Sequence, residues 1–490
     1  MGNATPSLAS FHTECGKLML TSGKEEYRAI FPPKVEDVRI LGTLSDQDKT
    51  NHPGTSGYSS TFGGSPYHIF ERIARTGDGN AELTTSFNAA ARVPDPEENP
   101  THSTYVSIEP NGQINPFLEL TESEKELERK GNTKVILSVQ GGLCEGVDGS
   151  GKGHVWFRKT LRQKDEFTTW DIYQGTGVAA VSVDRTTGKL VAERAEEGSL
   201  LFRQAQPAFG TFCATSHDGW YYLWGKMFAD IYLAKVPVNR ALEREHYRYW
   251  DGYRFTADVR IATPLMTGYD QEYDQGMIFP SRLFGHNYQW VFLGNSGKEG
   301  CQVMMGAASA PQGPFKMTQI THNSDGRKLL PVEAGTDCIY YHPWAFNERV
   351  GQVLLTWSEK DQGGITGARV QFQMLHQGAF WKDISFQDVD GSMSKLIKIR
   401  PELVDITDSR GVYYEIDAST WFMKVSVRLV GKTAEIVDEA ALEICKQVAV
   451  WARQAKGITD EQTRARAAEE TKSPMKKARK FPWSRKKDSK

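Results

Sequence analysis

Six cysteines are all that this chain of 490 residues has, and Cys15, Cys144, Cys213, Cys301, Cys338 and Cys445 stand far apart. No two of them have the spacing of a zinc or redox motif, so reduced, mostly buried thiols are expected. Equally missing is any apolar run long enough to cross a bilayer, which excludes a membrane-spanning helix. The opening MGNATPSLASFHTECGKLML has neither the basic start nor the continuous apolar stretch of a secretory signal. Pro6 stands where a myristoylation motif wants Ser or Thr. The expected location is intracellular, cytoplasmic or nuclear, with no membrane partner.

Net charge is also small, at −2, because 59 Lys and Arg nearly balance 61 Asp and Glu, but it is unevenly spread. Residues 472–490 hold nine Lys/Arg against Asp488 alone, which leaves the rest of the chain at −10. An acidic body excludes broad nucleic-acid binding by the folded part, because phosphate contacts need a basic face. The tail KSPMKKARKFPWSRKKDSK has the clusters of a nuclear import signal, with the import machinery as its partner and Ser473-Pro474 as a phosphorylation point. A disordered, solvated tail fits the same residues equally well.

Glycine and aromatic residues, by contrast, are plentiful: 45 Gly, 12 Trp, 18 Tyr and 23 Phe. Ala- or Leu-rich helical tracts are confined to one segment near the C-terminus. This balance favours many short strands joined by turns, an all-β fold. HDGWYYLWGKMF, residues 217–228, is the sharpest example, an Asp-Gly turn leading into an aromatic strand. Similar turns open SPYHIFERI after Gly63-Gly64, GHVWFRKT after Asp148-Gly149, YQWVFLGN after His286-Asn287 and QVLLTWSE near Arg349. The starts near 63, 148, 218, 286 and 349 are spaced by 85, 70, 68 and 63 residues, and further strands follow four of them. A repeat of this kind predicts a five-bladed β-propeller, since a lone blade cannot bury both faces. Trp220, Tyr222 and Trp224 then belong mainly to the packing between blades.

The organisation expected is an N-terminal extension over 1–30, the propeller over 31–376, C-terminal strands with a docking helix over 377–457, and a disordered basic tail over 458–490. The helix is read over 432–457, where apolar residues recur at helical spacing and Gly457 ends the run. Thr121 and Glu124 form a capping box ahead of a short charged surface helix. GVDGSGKG, residues 146–153, nearly spells a phosphate-binding loop, but Gly153 replaces the Ser or Thr that reaches Mg²⁺, and a strand rather than a helix follows. Nucleotide binding is therefore not expected.

IYQGTGVAAVSVDRTTGKL, HDGWYYLWGKMFADIYLAKVPVNRALEREHYRYWDG and VMMGAASAPQGPF carry a family resemblance. Together they resemble fungal members of a propeller family of unknown function. That family is similar to mycobacterial endo-D-arabinanases and, more distantly, to five-bladed arabinanase- and invertase-like glycosidases. The resemblance spans roughly residues 35–376 and implies a glycoside hydrolase-like propeller acting on or binding a carbohydrate at its central channel. In the first blade such relatives have an Arg-Asp-Gly-Gly stretch and a Gly-Asp-Thr. This chain has HPGTSG and FERI there, with Asp46 and Asp48 upstream and Glu71 within FERI. Activity as an enzyme is thus left open, and the alternative is a non-hydrolytic scaffold that binds a ligand or serves another small-molecule reaction, for example in secondary metabolism.

Glycosidic cleavage needs two carboxyl groups from different blades, about 5 Å apart for retention or about 6.5–9.5 Å for inversion. Acids preceding each aromatic strand are the candidates: Asp46 and Asp48 in the first blade, Asp270, Glu272 and Asp274 in the fourth, Glu333 and Asp337 in the fifth. Asp48, Asp274 and Asp337 are selected as catalytic, and Arg282, His342 and Glu333 as substrate-binding, with His342 and Arg282 read as inner-strand residues. No cofactor is required by the sequence. DQEYDQG is oxygen-rich enough to leave calcium open, although a calcium loop needs a longer ligand series.

Overall fold

A computed structural model describes residues 8–431 apart from segments 14–15, 23–25, 30, 47–53, 77–81, 106–107, 110–113, 166, 195–199, 269–271, 286–287, 297–301, 321–337, 348–350, 359–363, 378–380, 389–392, 402–411 and 420–423. The chain divides into two compact units, Tyr27–Leu375 and a second formed by Met1–Glu26 with His376–Lys490.

The larger unit is a five-bladed β-propeller of antiparallel sheets. Blade 1 runs outward from Gly54–Phe62 through Ser65–Thr76 and Glu82–Arg92 to Thr104–Tyr105. In blade 2 the inner strand is split into Thr133–Ser138 and Leu143–Glu145, which pair in turn with one long second strand, Lys152–Lys164. Thr169–Val183 and then Leu190–Arg194 follow it outward. Blade 3 is Cys213–His217, Trp220–Met227, Asp230–Pro237 and two short outer strands; blade 4 is Tyr273–Pro280, Trp290–Ser296, Gln302–Ala308 and Lys316–Gln319. Blade 5 takes Cys338–Asn347, Gln352–Ser358 and Ile365–Phe372 from the end of the unit but its outer strand, Val35–Thr43, from the beginning. The five inner strands touch in ring order, blade 5 against blade 1 included.

The turns at Gly63-Gly64, Asp148-Gly149 and Asp218-Gly219 each join an inner strand to the aromatic strand beside it, and in every blade the aromatic strand is the second. The reason is local. Asp218 and Gly219 have φ of 48° and 76°, and Gly63 and Gly64 have 59° and 76°, the doubly left-handed backbone that closes a two-residue hairpin in step with strand twist. Beyond the turn the side chains alternate. Tyr221 and Leu223 pack with Trp156 toward blade 2, whereas Tyr222 and Trp224 pack against Trp290 of blade 4, with ring centroids at 5.3 and 6.0 Å. An aromatic strand fills both clefts at once. Tyr221 and Trp224 are fully buried and Tyr222 and Trp220 partly so.

The helix Glu122–Arg129 forms as its capping box requires. Glu124 N–H donates to Thr121 Oγ1 at 3.3 Å, and Thr121 N–H donates to Glu124 Oε2 at 3.0 Å. Glu124 does more than cap. Its buried carboxylate receives two hydrogen bonds from Arg194 at 2.6 and 3.1 Å and lies 2.5 Å from Lys159 Nζ, so the helix is fastened to the second and fourth strands of blade 2.

The glycine-rich loop 146–153 is a hairpin turn, and the amides of Gly149 and Gly151 are already occupied. Gly149 N–H donates to Glu145 Oε2 at 2.8 Å, while Gly151 N–H and, from the blade 1 turn, Gly63 N–H (2.9 Å) both donate to Oε1. The loop thus holds an anion, the protein's own carboxylate. At Gly153 a Cβ would lie 1.9 Å from the Cys144 carbonyl oxygen, so the Ser or Thr of a nucleotide-binding loop has no room. Cys144 and Cys213 are free and buried, and burial pushes the Cys213 thiol up to about 12.

In the second unit, a six-stranded antiparallel sheet runs in the order Leu8–Thr13, Gly16–Ser22, Trp381–Asp388, Met393–Pro401, Val412–Ser419, Lys424–Gly431. Strands from both ends of the chain share it. The helix read over 432–457 and the basic tail lie outside the described residues.

Candidate functional site

In a propeller with this strand order, the inner strands all begin at one end of the channel and the hairpin turns lie at the other. The beginning end carries the polar side chains. Gln140 sits in the break of the blade 2 inner strand, between Ser138 and Leu143. The break follows from Gly141 and Gly142. Gly141 accepts the Ala214 N–H of blade 3 through its carbonyl at 2.7 Å, and a Cβ at Gly142 would meet Trp156 O at 2.4 Å. Two glycines let three strands converge, and the side chain just before them, Gln140, reaches across to blade 1.

Gln140 Nε2 donates to Glu71 Oε2 of blade 1 at 2.7 Å. It also lines, with Arg158, Thr211, Lys226, Asp274 and Gln275, a cavity of about 30 Å³. Lys226 is fixed by donating to Tyr273 O at 2.9 Å, and the Arg158 guanidinium lies over the Tyr173 ring at 4.8 Å. Gln275 N–H donates to Asn295 Oδ1 at 3.0 Å. A second cavity, about 10 Å³, lies among Gly57, Tyr58, Gln140, Gln275 and Met277. Volumes of this size hold water at most, so a larger ligand would lie over these residues rather than within these two cavities.

Of the sequence candidates, Asp274 is exposed near the start of the blade 4 inner strand and belongs to this cluster. Glu272 is half-buried just before it, and Asp46 is fully buried after the Ser45–His102 bridge. Arg282 needs correcting. It follows Pro280, the last residue of the inner strand, and is exposed in the loop to the next strand, at the opposite end from Asp274. His342 is on the blade 5 inner strand, Cys338–Asn347, opposite Leu354. Asp48, Asp270, Glu333 and Asp337 lie outside the described residues. Gln140, Arg158 and Lys226 were not found from sequence; the two cations stand two residues beyond Trp156 and Trp224, on strands whose aromatic content reads as core.

Among the described residues, Glu243, Glu245 and His246 are close enough together to ligate a cation, but Glu243 is bound by Arg240 at 2.8 Å and by His246 at 3.1 Å. The group is a surface ion network away from the channel.

No family model matches the chain, and no curated protein does. Solved structures resemble it. A candidate hydrolase from Bacteroides ovatus has 14% identity and a TM-score of 0.45, covering 68% of this chain and 87% of its own. A GH43 enzyme from Xanthomonas citri complexed with xylose has 10% identity and a TM-score of 0.36, covering 73% and 94%. The endo-1,5-α-L-arabinanase of Thermotoga petrophila has 10% identity and a TM-score of 0.31, covering 78% and 96%.

Proposed function

We propose that the channel mouth binds a carbohydrate through Glu71, Gln140, Arg158, Lys226 and Asp274. The observation that supports this is the convergence of two carboxylates, one amide and two cations from blades 1 to 4 at the end where the inner strands begin. Amide and carboxylate side chains bond sugar hydroxyls in pairs. Titration calorimetry against furanosides and pyranosides, with and without calcium, is expected to find a ligand whose affinity falls about tenfold in Gln140→Ala and in Asp274→Asn. A full panel that fails to bind the wild type, or binding that both variants leave unchanged, overturns the reading.

A second reading, hydrolysis, is favoured by the placement of Glu71 and Asp274 on different blades but next to the same glutamine. Glu71 already accepts a hydrogen bond from Gln140, the amide–carboxylate pairing that holds a sugar hydroxyl, and this puts binding first. Release of reducing sugar by the wild type, lost at least a hundredfold in Glu71→Gln and in Asp274→Asn, would establish the second reading.

A further inference from the structure

The larger cavity, about 470 Å³, lies between blades 2 and 3 at the hairpin end, away from the channel mouth. Its floor is a patch of the blade 2 sheet. Two cross-strand rows form it: His154, Ala180 and Glu193 in one, Lys152, Ser182 and Val191 in the next. The row before them pairs Trp156 with Val178, and there blade 3 closes down tightly, with Tyr221 edge-on to Trp156 at 5.2 Å and Tyr247 Oη accepting from Trp156 Nε1 at 3.1 Å. One step further the side chains shrink to Ala180 and Ser182. Blade 3 continues over them as Tyr221 and Val238, and a hollow is left. Its size falls within the range of metabolite pockets, about 300–1,000 Å³.

The chemistry of the wall restricts what fits. The amides of Gly149 and Gly151 are committed to Glu145 and so are closed to an anion. Lys152 and Glu193 stand at the rim with opposite charges. His154 is held down to about 4 by burial and is therefore neutral at pH 7; its Nδ1 is 3.1 Å from the Tyr221 hydroxyl. His154 Nε2 has no hydrogen-bond partner among the described residues. Around this polar pair the wall is mainly apolar, with Ser150, Ser182 and Asn239 as its further neutral polar side chains, and Val147 and Val191 are 68% and 40% exposed at the rim, an arrangement that leaves valine side chains in water unless something covers them.

We infer that this hollow is a second ligand site, separate from the channel, for a small uncharged ring compound whose hydroxyl or carbonyl group meets the His154–Tyr221 pair. Phenols and cyclic ketones of roughly 10–20 non-hydrogen atoms have the right size and polarity. The test uses the full chain and saturation-transfer NMR against a panel of such phenols and ketones, with benzoate as the charged control. At least one neutral compound is expected to bind, at least tenfold more weakly in Ser182→Trp, which fills the hollow from an exposed position, and in His154→Leu, which removes the polar partner. Gln140→Ala should bind it as the wild type does, which separates this site from the channel. If His154→Leu lowers the thermal midpoint, Ser182→Trp decides alone. No binder in the panel, equal binding of benzoate, or binding that persists in Ser182→Trp overturns the proposal.

Discussion

Replacing Glu145 by Ala is expected to destabilise the propeller by about 3–5 kcal/mol. Three backbone amides donate to this one carboxylate, and hydrogen bonds to a charged group contribute about 1.5–3 kcal/mol each, less where water can replace the partner. Gly149 is exposed and will find water, but Gly151 is buried and Gly63 half-buried. The loss is therefore concentrated in two amides from different blades, and blades 1 and 2 should loosen together at the hairpin end. Glu145→Gln keeps one acceptor oxygen and should fall between. Urea unfolding would measure both; a Glu145→Ala variant within 1 kcal/mol of wild type would show that the amides are satisfied without the carboxylate.

Glu124→Ala should cost a similar amount, about 3–5 kcal/mol, because it strands Arg194 and Lys159, whose side chains are 7% and 14% exposed. Its pH dependence gives a sharper reading. Burial pushes the Glu124 carboxyl up, but hydrogen bonds from Arg194, Lys159 and the Thr121 amide outweigh it and hold the group at about 2 against an ordinary 4.5. A carboxyl depressed on folding stabilises the fold fully above its unfolded value and loses that contribution as pH falls toward the folded one. The wild type should thus lose stability between about pH 4.5 and pH 2, and Glu124→Gln should lose less over the same window. Parallel acid curves for the two proteins would remove Glu124 from the account.

The blades were legible in the sequence because each announces itself locally, through two residues that turn the chain and an aromatic strand after them. Asp218-Gly219 before WYYLW needs nothing distant to be read. The capping box at Thr121 and Glu124 is equally local, but the partners of Glu124, 35 and 70 residues away at Lys159 and Arg194, leave no trace in its neighbourhood. The same limit hid the channel mouth. Its residues come from four blades, and the position rule that selected acids before each aromatic strand could find Asp274 but not Gln140, an amide in a strand break. Arg282, read as an inner-strand residue, lies beyond a strand that ends at Pro280. Glu71 was visible within FERI, yet only the fold brings it to Gln140.

The outer strand of blade 5, Val35–Thr43, is made before any blade and pairs with Ile365–Phe372, made after nearly all of them. On a ribosome adding about 5–20 residues per second, its partner follows roughly a quarter of a minute to a minute later. During that interval blades 1 to 4 are made and can stack in turn, but the ring stays open, with one unpaired strand at the leading end and unpaired blade edges available to other chains. Closure is then a single late event that joins the two ends of the unit, so an interruption of synthesis before Ile365 should yield an open, aggregation-prone arc rather than a smaller propeller.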